Sequence, residues 1–409
     1  MPGSAQGRIA TLDLIRGLAV MGILAINIAG FAGPTAAIYA PHVTSPGSAP
    51  DDVVFALALL VFEGKMRALF SMLFGASLLL FVEKAEARGQ SGASLQLRRL
   101  CWLALFGYLH FLLFWWGDIL FLYAIVGIFA LLLTLLDTRI LLAIALLTFT
   151  IWQASGVAQD LPLAAAEFRQ ISGMPLTASE AEELDNAAAK RSAEIDVELA
   201  RYQQGFVAHA EHNLMERALY PVAGVLYSFG ETLPFMLFGM VLLRTGFFTG
   251  QWTRRRLQWF SWSSLAVGGT VTAYFTAWAF AHHFPEPIMR LAINSALSFP
   301  HLLMAFGYAG LLVLYAQRLV ATALGARIVA AGRMALSNYL GTSVLMTALF
   351  YGWGLGLVGK VPNAWHPLFV LLAWALMLAW SKPWLERFGQ GPLERLWRSL
   401  TEMRQTETN

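Results

Sequence analysis

Long apolar runs, most near the ~20 residues that cross a hydrocarbon core, recur along the chain. They fall near residues 11–32, 53–83, 99–116, 119–136, 140–156, 221–243, 257–281, 297–316, 329–352 and 364–381. In lipid an unpaired backbone group has no water to bond, so runs of this kind fold as helices. The pattern predicts an all-α fold, a polytopic membrane helix bundle of about ten transmembrane helices. Segment 53–83 is too long for one span and is interrupted by Glu63, Lys65 and Arg67, so a break or a buried polar face is expected there. The third and fourth runs are joined by Trp116, Gly117 and Asp118, a tight re-entry. Residues 157–217 break the apolar pattern. They are rich in Ala, Glu, Lys and Arg, and they carry a capping signature, Thr177 followed by Glu180, that predicts one or two helices. The chain therefore divides into an N-terminal transmembrane half (1–156), a polar helical insert (157–220) and a C-terminal transmembrane half with a tail (221–409). No inverted repeat is visible between the halves, which weighs against a transporter.

Composition agrees. Apolar residues make up 57% of the chain and charged residues 13%, against ~25% charged in soluble domains. The 14 Trp and 28 Phe suit interfacial aromatic belts. A lone cysteine, Cys101, excludes a disulfide or a thiolate metal site within one chain and reads as inert packing. The first apolar stretch is too long for a cleavable signal peptide and shows no small-residue cleavage site. Where the charges sit matters more than their sum of +3. Lys84, Arg88, Arg98 and Arg99, then Arg139, then Arg244 and Arg254 to Arg256, then Arg318 and Arg327, then Arg387, Arg395, Arg398 and Arg404 all fall on one side if there are ten spans. The short loop 33–51 has no Lys or Arg. The positive-inside rule puts both termini in the cytoplasm and the insert outside. The expected partner is the lipid bilayer; no nucleic acid is expected, and a homo-oligomer is compatible with the pattern.

The first span keeps polar groups that lipid penalises by at least ~2.5–3.5 kcal/mol per central charge. Arg8, Asp13 and Arg16 lie at its start and Asn27 near its far end. Asp13 and Arg16, three apart, can pair. Arg16 and Asn27 share a face ~16 Å apart along the axis. That face reads either as a structural ion pair with an interhelical Asn bond or as one wall of a transmembrane site. Glu63, Lys65 and Arg67 read either as snorkelling side chains or as a polar pocket for an anion. His110 stands alone in an apolar run, with Asp118, Tyr108, Tyr123 and two tryptophans nearby. A neutral imidazole oriented by a carboxylate is the construction of a general base. Eight residues put His110 and Asp118 ~80° apart on a helix, so their meeting requires a helix break.

Weaker candidates follow. His209, His212 and Glu216 share a face that suits a metal or, more simply, solvent. His42, and His282, His283 and Glu286, lie in loops of the outer side. Arg333 lies near the cytoplasmic edge of the ninth span, followed by Ser337, Asn338, Thr342 and Ser343, which serve either a site or helix packing. No metal site is predicted.

Taken together, the segments LDLIRGLAVMGILAINI, FEGKMRALFSMLFGAS, GYLHFLLFWWGDILFLYAIVG, LPFMLFGMVLLRTGFF, AAGRMALSNYLGTSVLMTALFYGWGLGL and GPLERLWRSL resemble the YeiB-like bacterial membrane proteins, which carry the C-terminal domain of unknown function 418. The resemblance covers nearly the whole chain and implies a multi-pass protein of the bacterial cytoplasmic (inner) membrane. More distantly, Arg16 followed eleven residues later by a polar residue is similar to the first span of integral membrane acyltransferases. These include the acyltransferase-3 group and the heparan-α-glucosaminide N-acetyltransferases. Those enzymes take an acyl group from cytoplasmic acyl-CoA to an acceptor on the far side. The acyltransferase-3 pattern has a catalytic His where this chain has Asn27, so His110 or His42 has to supply the base.

The expectation is an acyltransferase-like protein without a tightly bound cofactor, with acyl-CoA as donor and a glycan, lipid or small molecule as acceptor. His110, Asp118 and Asn27 form its catalytic set. Arg16, Asp13, Glu63, Lys65, Arg67, Arg333 and Asn338 form its donor-binding set. The competing expectations are a transporter of a small anion or lipid-linked precursor, and a non-catalytic membrane subunit.

Overall fold

A computed structural model describes residues 10–43 and 47–402; Arg8 and Arg404 lie outside them. All regular structure among the described residues is helical. The helices are α1 (Ala10–Ala32), α2 (Ala49–Val61), α3 (Lys65–Glu86), α4 (Gly92–Leu113), α5 (Leu120–Leu132), α6 (Thr138–Ile171), α7 (Ala178–Tyr202) and α8 (Phe206–Glu216). They continue with α9 (Tyr220–Arg244), α10 (Arg254–Ala281), α11 (Glu286–Leu291), α12 (Ser298–Val320), α13 (Ala323–Arg333), α14 (Ala335–Phe350), α15 (His366–Phe388) and α16 (Pro392–Glu402). Five of them, α1, α6, α9, α12 and α15 with its preceding turn, are long and apolar enough to cross a membrane.

The packing sorts these helices by their sequence. α1, α3 and α9 are apolar on most faces and fill the middle, with α5 and α12 against them. Small residues let them close up. A Cβ on Gly75 of α3 would strike the backbone of Met236, and one on Gly239 of α9 would strike that of Met72. Without a hydrophobic force between helices in lipid, such close backbone contact is what holds them. α6, α10 and α15 lie at the periphery and leave large apolar side chains uncovered, among them Leu147, Ile151, Trp259, Val267, Leu368 and Leu372. An uncovered apolar belt of this kind on a helical bundle is a lipid-facing surface.

Two apolar runs are broken. The run 53–83 stops at Val61 and resumes at Lys65, with Gly64 at φ +72°, a conformation that favours glycine. The run 329–352, expected as one span, is two helices that meet at Met334. α6 runs on past residue 156 to Ile171, so the insert begins as the second half of a helix ~51 Å long. The capping box of Thr177 and Glu180 forms and starts α7.

The insert covers one end of the bundle. Glu198 of α7 accepts bonds from the Thr35 amide and hydroxyl at 2.6 and 3.0 Å, just beyond α1. Asn213 of α8 donates to the Phe111 and Leu112 carbonyls at the end of α4. Arg191 of α7 pairs with Glu286 of α11 at 2.9 Å. We call this the insert end, and the opposite end, where the Arg-rich termini of α1, α3, α4, α13 and α16 gather, the basic end.

Candidate functional site

The site is built from α4, the turn after it, α14, and the basic-end termini of α1 and α3. α4 ends at Leu113 and α5 starts at Leu120. Asp118 sits in the turn between them. Its carboxylate accepts from the Leu120 and Phe121 amides at 3.2 and 3.0 Å, which satisfies two donors that a helix start leaves unpaired. The same carboxylate faces back onto α4 and lies 3.0 Å from His110 Nδ1. The helix break thus removes the ~80° separation that a continuous helix would impose. Gly107 makes the approach feasible, because a Cβ there would lie 2.2 Å from the Phe121 nitrogen and 2.8 Å from Asp118 Oδ2. Trp115 anchors the turn on α1, stacked on Phe31 with centroids 4.1 Å apart and donating to the Gly30 carbonyl.

Both side chains are almost fully buried, at 1% and 2% exposed. A carboxylate only accepts, so the pairing places the imidazole proton on Nδ1 and leaves the Nε2 lone pair available. Nε2 is buried and has no hydrogen-bonding partner among the described residues. A lone pair on an imidazole oriented by a carboxylate is the geometry of a general base.

Tyr339 of α14 lies against this pair, its ring 5.3 Å from that of His110. Its hydroxyl accepts from the Ile119 amide and lies 3.4 Å from the Gly117 carbonyl, so it holds the same turn from the other side. Tyr339 also faces two cavities. One, of only about 10 Å³, places Asn27 with Phe31, Thr342 and Ser343. The other, of about 630 Å³, opens at the basic end and reaches inward to Leu120, Tyr123 and Tyr339. Its wall carries Arg16, Lys84, Arg88, Arg99, Arg333 and Arg398 against only two carboxylates, Glu394 and Glu402. Arg16 is held by Asp13 Oδ1 at 2.7 Å and Ser77 Oγ at 2.8 Å. Glu394 caps α14, accepting from the Leu336 and Ser337 amides at 2.9 and 3.1 Å.

The residues expected at one site are thus split between several places. Arg16, Arg333 and, through Arg16, Asp13 belong to the basic cavity. His110, Asp118 and Asn27 lie beyond its inner end, around Tyr339. Asn338 lines neither cavity. Its amide donates to the Ala331 carbonyl and to Ser381, and its oxygen accepts from Trp380, so it ties α14 to α13 and α15. Glu63, Lys65 and Arg67 clasp the α2–α3 break. Lys65, fully buried, donates to the Leu59 carbonyl at 2.6 Å. Glu63 accepts from the Gly64 amide, and Arg67 pairs with Glu231 of α9 at 3.1 Å. An ammonium on the terminal carbonyls of α2 is the favourable placement for a cation. Glu63 also borders a separate cavity of about 270 Å³, between α1, α2 and α15, that is otherwise mostly apolar.

His209, His212 and Glu216 do not converge. His209 turns inward to Asn213 and Tyr351, while His212 pairs with Glu216 at 3.2 Å. Burial pushes the His209 imidazole down to about 4. Lys84, Arg88, Arg99 and Arg398 read in the sequence only as topology signals, and Tyr339 is one aromatic among many in apolar runs. Their common signal is spatial.

Residues 242–404 match the family described as Protein of unknown function (DUF418). The whole chain is similar to the Escherichia coli (strain K12) protein titled "Uncharacterized protein YeiB", 29% identical over 96% of this chain and 96% of that protein. It is equally similar to the Bacillus subtilis (strain 168) protein titled "Uncharacterized protein YxaH", 29% identical over 98% of this chain and 96% of that one. No solved structure matches significantly.

Proposed function

We propose that this chain, which is similar along nearly its whole length to the YeiB and YxaH proteins and matches the DUF418 family over residues 242–404, is a membrane acyltransferase, taking an acyl group from cytoplasmic acyl-CoA to an acceptor at the far face. The observation that carries this reading is the basic cavity, whose inner end stops on Tyr339 with the His110–Asp118 pair directly behind it.

The six cations suit a ligand with several phosphates, because charge-assisted bonds from guanidinium to phosphate are the strong ones. The inner stretch, with Phe70, Phe74, Leu78 and Tyr123, suits the less polar arm that carries a thioester. His110 Nε2 then takes the proton of an acceptor hydroxyl or amine as it attacks the thioester carbon. The proton moves to the imidazole, the acyl–sulfur bond breaks, and the thiolate leaves to be protonated. Asp118 holds the tautomer and stabilises the imidazolium. Asn27, on the other flank of Tyr339, offers an amide donor for the carbonyl oxygen as it gains charge. In this reading Tyr339 separates the donor chamber from the acceptor side, and its displacement opens the passage. The Lys and Arg distribution supports a reading in which the basic end faces the cytoplasm, with about ten spans, both termini inside, and the insert outside the inner membrane.

The test is acyl release from acetyl-CoA and longer acyl-CoAs by detergent-purified protein with a panel of polyol, amine and glycolipid acceptors. Turnover without an ion gradient that His110→Ala abolishes supports the reading. One feature favours a transporter: the helix break at Phe62–Gly64, whose flanking Phe62 and Met66 lie against Gly22 in the middle of α1, is the construction of many transport sites. Gradient-coupled uptake of an anion into vesicles, with no acyl release, supports that reading instead.

A further inference from the structure

Three side chains from three separate segments converge at the insert end, away from the basic cavity. His42 lies in the loop after α1, Asp52 in the first turn of α2, and His283 in the turn between α10 and α11. One ligand atom from each lies within 4.8 Å of the others. Asp52 is 5% exposed. Its Oδ1 stands 2.7 Å from His42 Nε2 but outside hydrogen-bonding geometry, so this buried oxygen has no hydrogen-bonding partner among the described residues. Its Oδ2 lies 3.4 Å from His283 Nδ1.

The neighbouring polar groups are turned elsewhere. The Asp51 carboxylate accepts from Ser48 and from the Ala364 amide. His282 lies along Trp278 and bonds its carbonyl. The α10–α11 turn holds His283 and Phe284 both at φ +55°, a costly conformation for bulky residues. Burial of Phe284 (1% exposed) in the cluster with Leu59, Ala279 and Met289 holds that turn, and the turn presents His283 to Asp52.

We propose that His42, Asp52 and His283 bind a divalent transition metal of the zinc class, which ties the loop after α1 to the α10–α11 turn. Two imidazole nitrogens and one carboxylate oxygen are a zinc-type donor set, whereas calcium and magnesium require oxygen donors. Two ligands ~2.0–2.1 Å from a tetrahedral ion stand ~3.3 Å apart; Asp52 Oδ2 and His283 Nδ1 stand 3.4 Å apart, and Asp52 Oδ1 and His42 Nε2, at 2.7 Å, have to part slightly to admit the ion. Three protein ligands leave one position for water, and His283, 78% exposed, leaves the site open to it.

The full chain, purified with a tag free of histidine and stripped with a chelator, is titrated with Zn²⁺ alone and, separately, with Co²⁺ as a visible-spectrum probe. Saturable binding of about one Zn²⁺ per chain, with Co²⁺ bands of low coordination number, is the expected result. Loss of even an outer-shell group costs ~10–100-fold in affinity, so Asp52→Asn and the exposed His283→Ala are each expected to weaken Zn²⁺ at least ~100-fold. His282→Ala is expected to bind as the unaltered chain does. No saturable Zn²⁺ binding by the stripped chain, equal binding in all three variants, or displacement of Zn²⁺ by equal Mg²⁺ or Ca²⁺ would overturn the proposal.

Discussion

His110 and Asp118 illustrate how one carboxylate serves two tasks. It caps α5 and it orients an imidazole, so the variants at these positions separate fold from chemistry. His110→Ala is expected to keep its helix, since alanine is the best helix former, and to lower acyl transfer by ~10²–10⁴-fold, the usual worth of a general base. Asp118→Asn keeps an acceptor for the α5 amides but lets His110 adopt the other tautomer. Its turnover is expected to fall as well, with far-ultraviolet circular dichroism unchanged. Normal turnover in His110→Ala would remove the proposed base. The residue types His110, Asp118, Arg16 and Asp13 were legible in the sequence because ionisable groups stand out in apolar runs. Their pairing was only half legible. Asp13 and Arg16 are three apart on one helix, whereas His110 meets Asp118 only through a helix break whose geometry no local spacing fixes. Tyr339 was illegible, because its importance comes from touching α4, the α4–α5 turn and two cavities at once.

Single positions also set where helices begin and end. Gly64→Ala is expected to destabilise the α2–α3 break by ~1–3 kcal/mol, because φ +72° disfavours a side chain and a Cβ would meet His301 Nδ1 at 2.3 Å. The check is the apparent unfolding midpoint in one detergent against Gly205→Ala, at φ −69° and with no neighbouring atom for its Cβ to meet. In the insert, His209 is held neutral by burial, with its ionisation pushed down to about 4 against an ordinary value near 6.5. The unfolded segment therefore binds a proton first. Stability of α8 is expected to be full above about pH 6.5 and to fall progressively as pH drops toward 4. Hydrogen exchange along α8 reads this directly, and pH-independent protection over that window would contradict it. The break near Glu63, Lys65 and Arg67 was legible from three charges in five residues. The break at Met334 was not, because Glu394, about sixty residues away, caps the second helix.

Across the whole molecule, charge is distributed by end. The basic end holds a cavity ringed by Arg and Lys, while the insert end holds carboxylate contacts such as Glu198 with Thr35, Glu286 with Arg191 and Asp52 beside His42 and His283. The membrane class followed from long apolar runs alone, but the basic cavity did not. Its cations come from α1, α3, the α3–α4 loop, α4, α13 and α16, so no stretch of chain displays it. Glu394 provides a sign test. It places a carboxylate in that cavity, so Glu394→Gln is expected to bind a polyanion more tightly while keeping the α14 cap, and weaker binding would count against a phosphate-holding cavity. The most direct measurement is calorimetric titration of the detergent-purified chain with acetyl-CoA, beside Arg16→Ala and Arg88→Ala. Saturable binding, weakened ~10-fold or more in each variant as for the loss of a charge-assisted bond, is the expected result. Absence of binding to acetyl-CoA and to a longer acyl-CoA, or affinity unchanged in both variants, would contradict the donor site on which the acyltransferase reading stands.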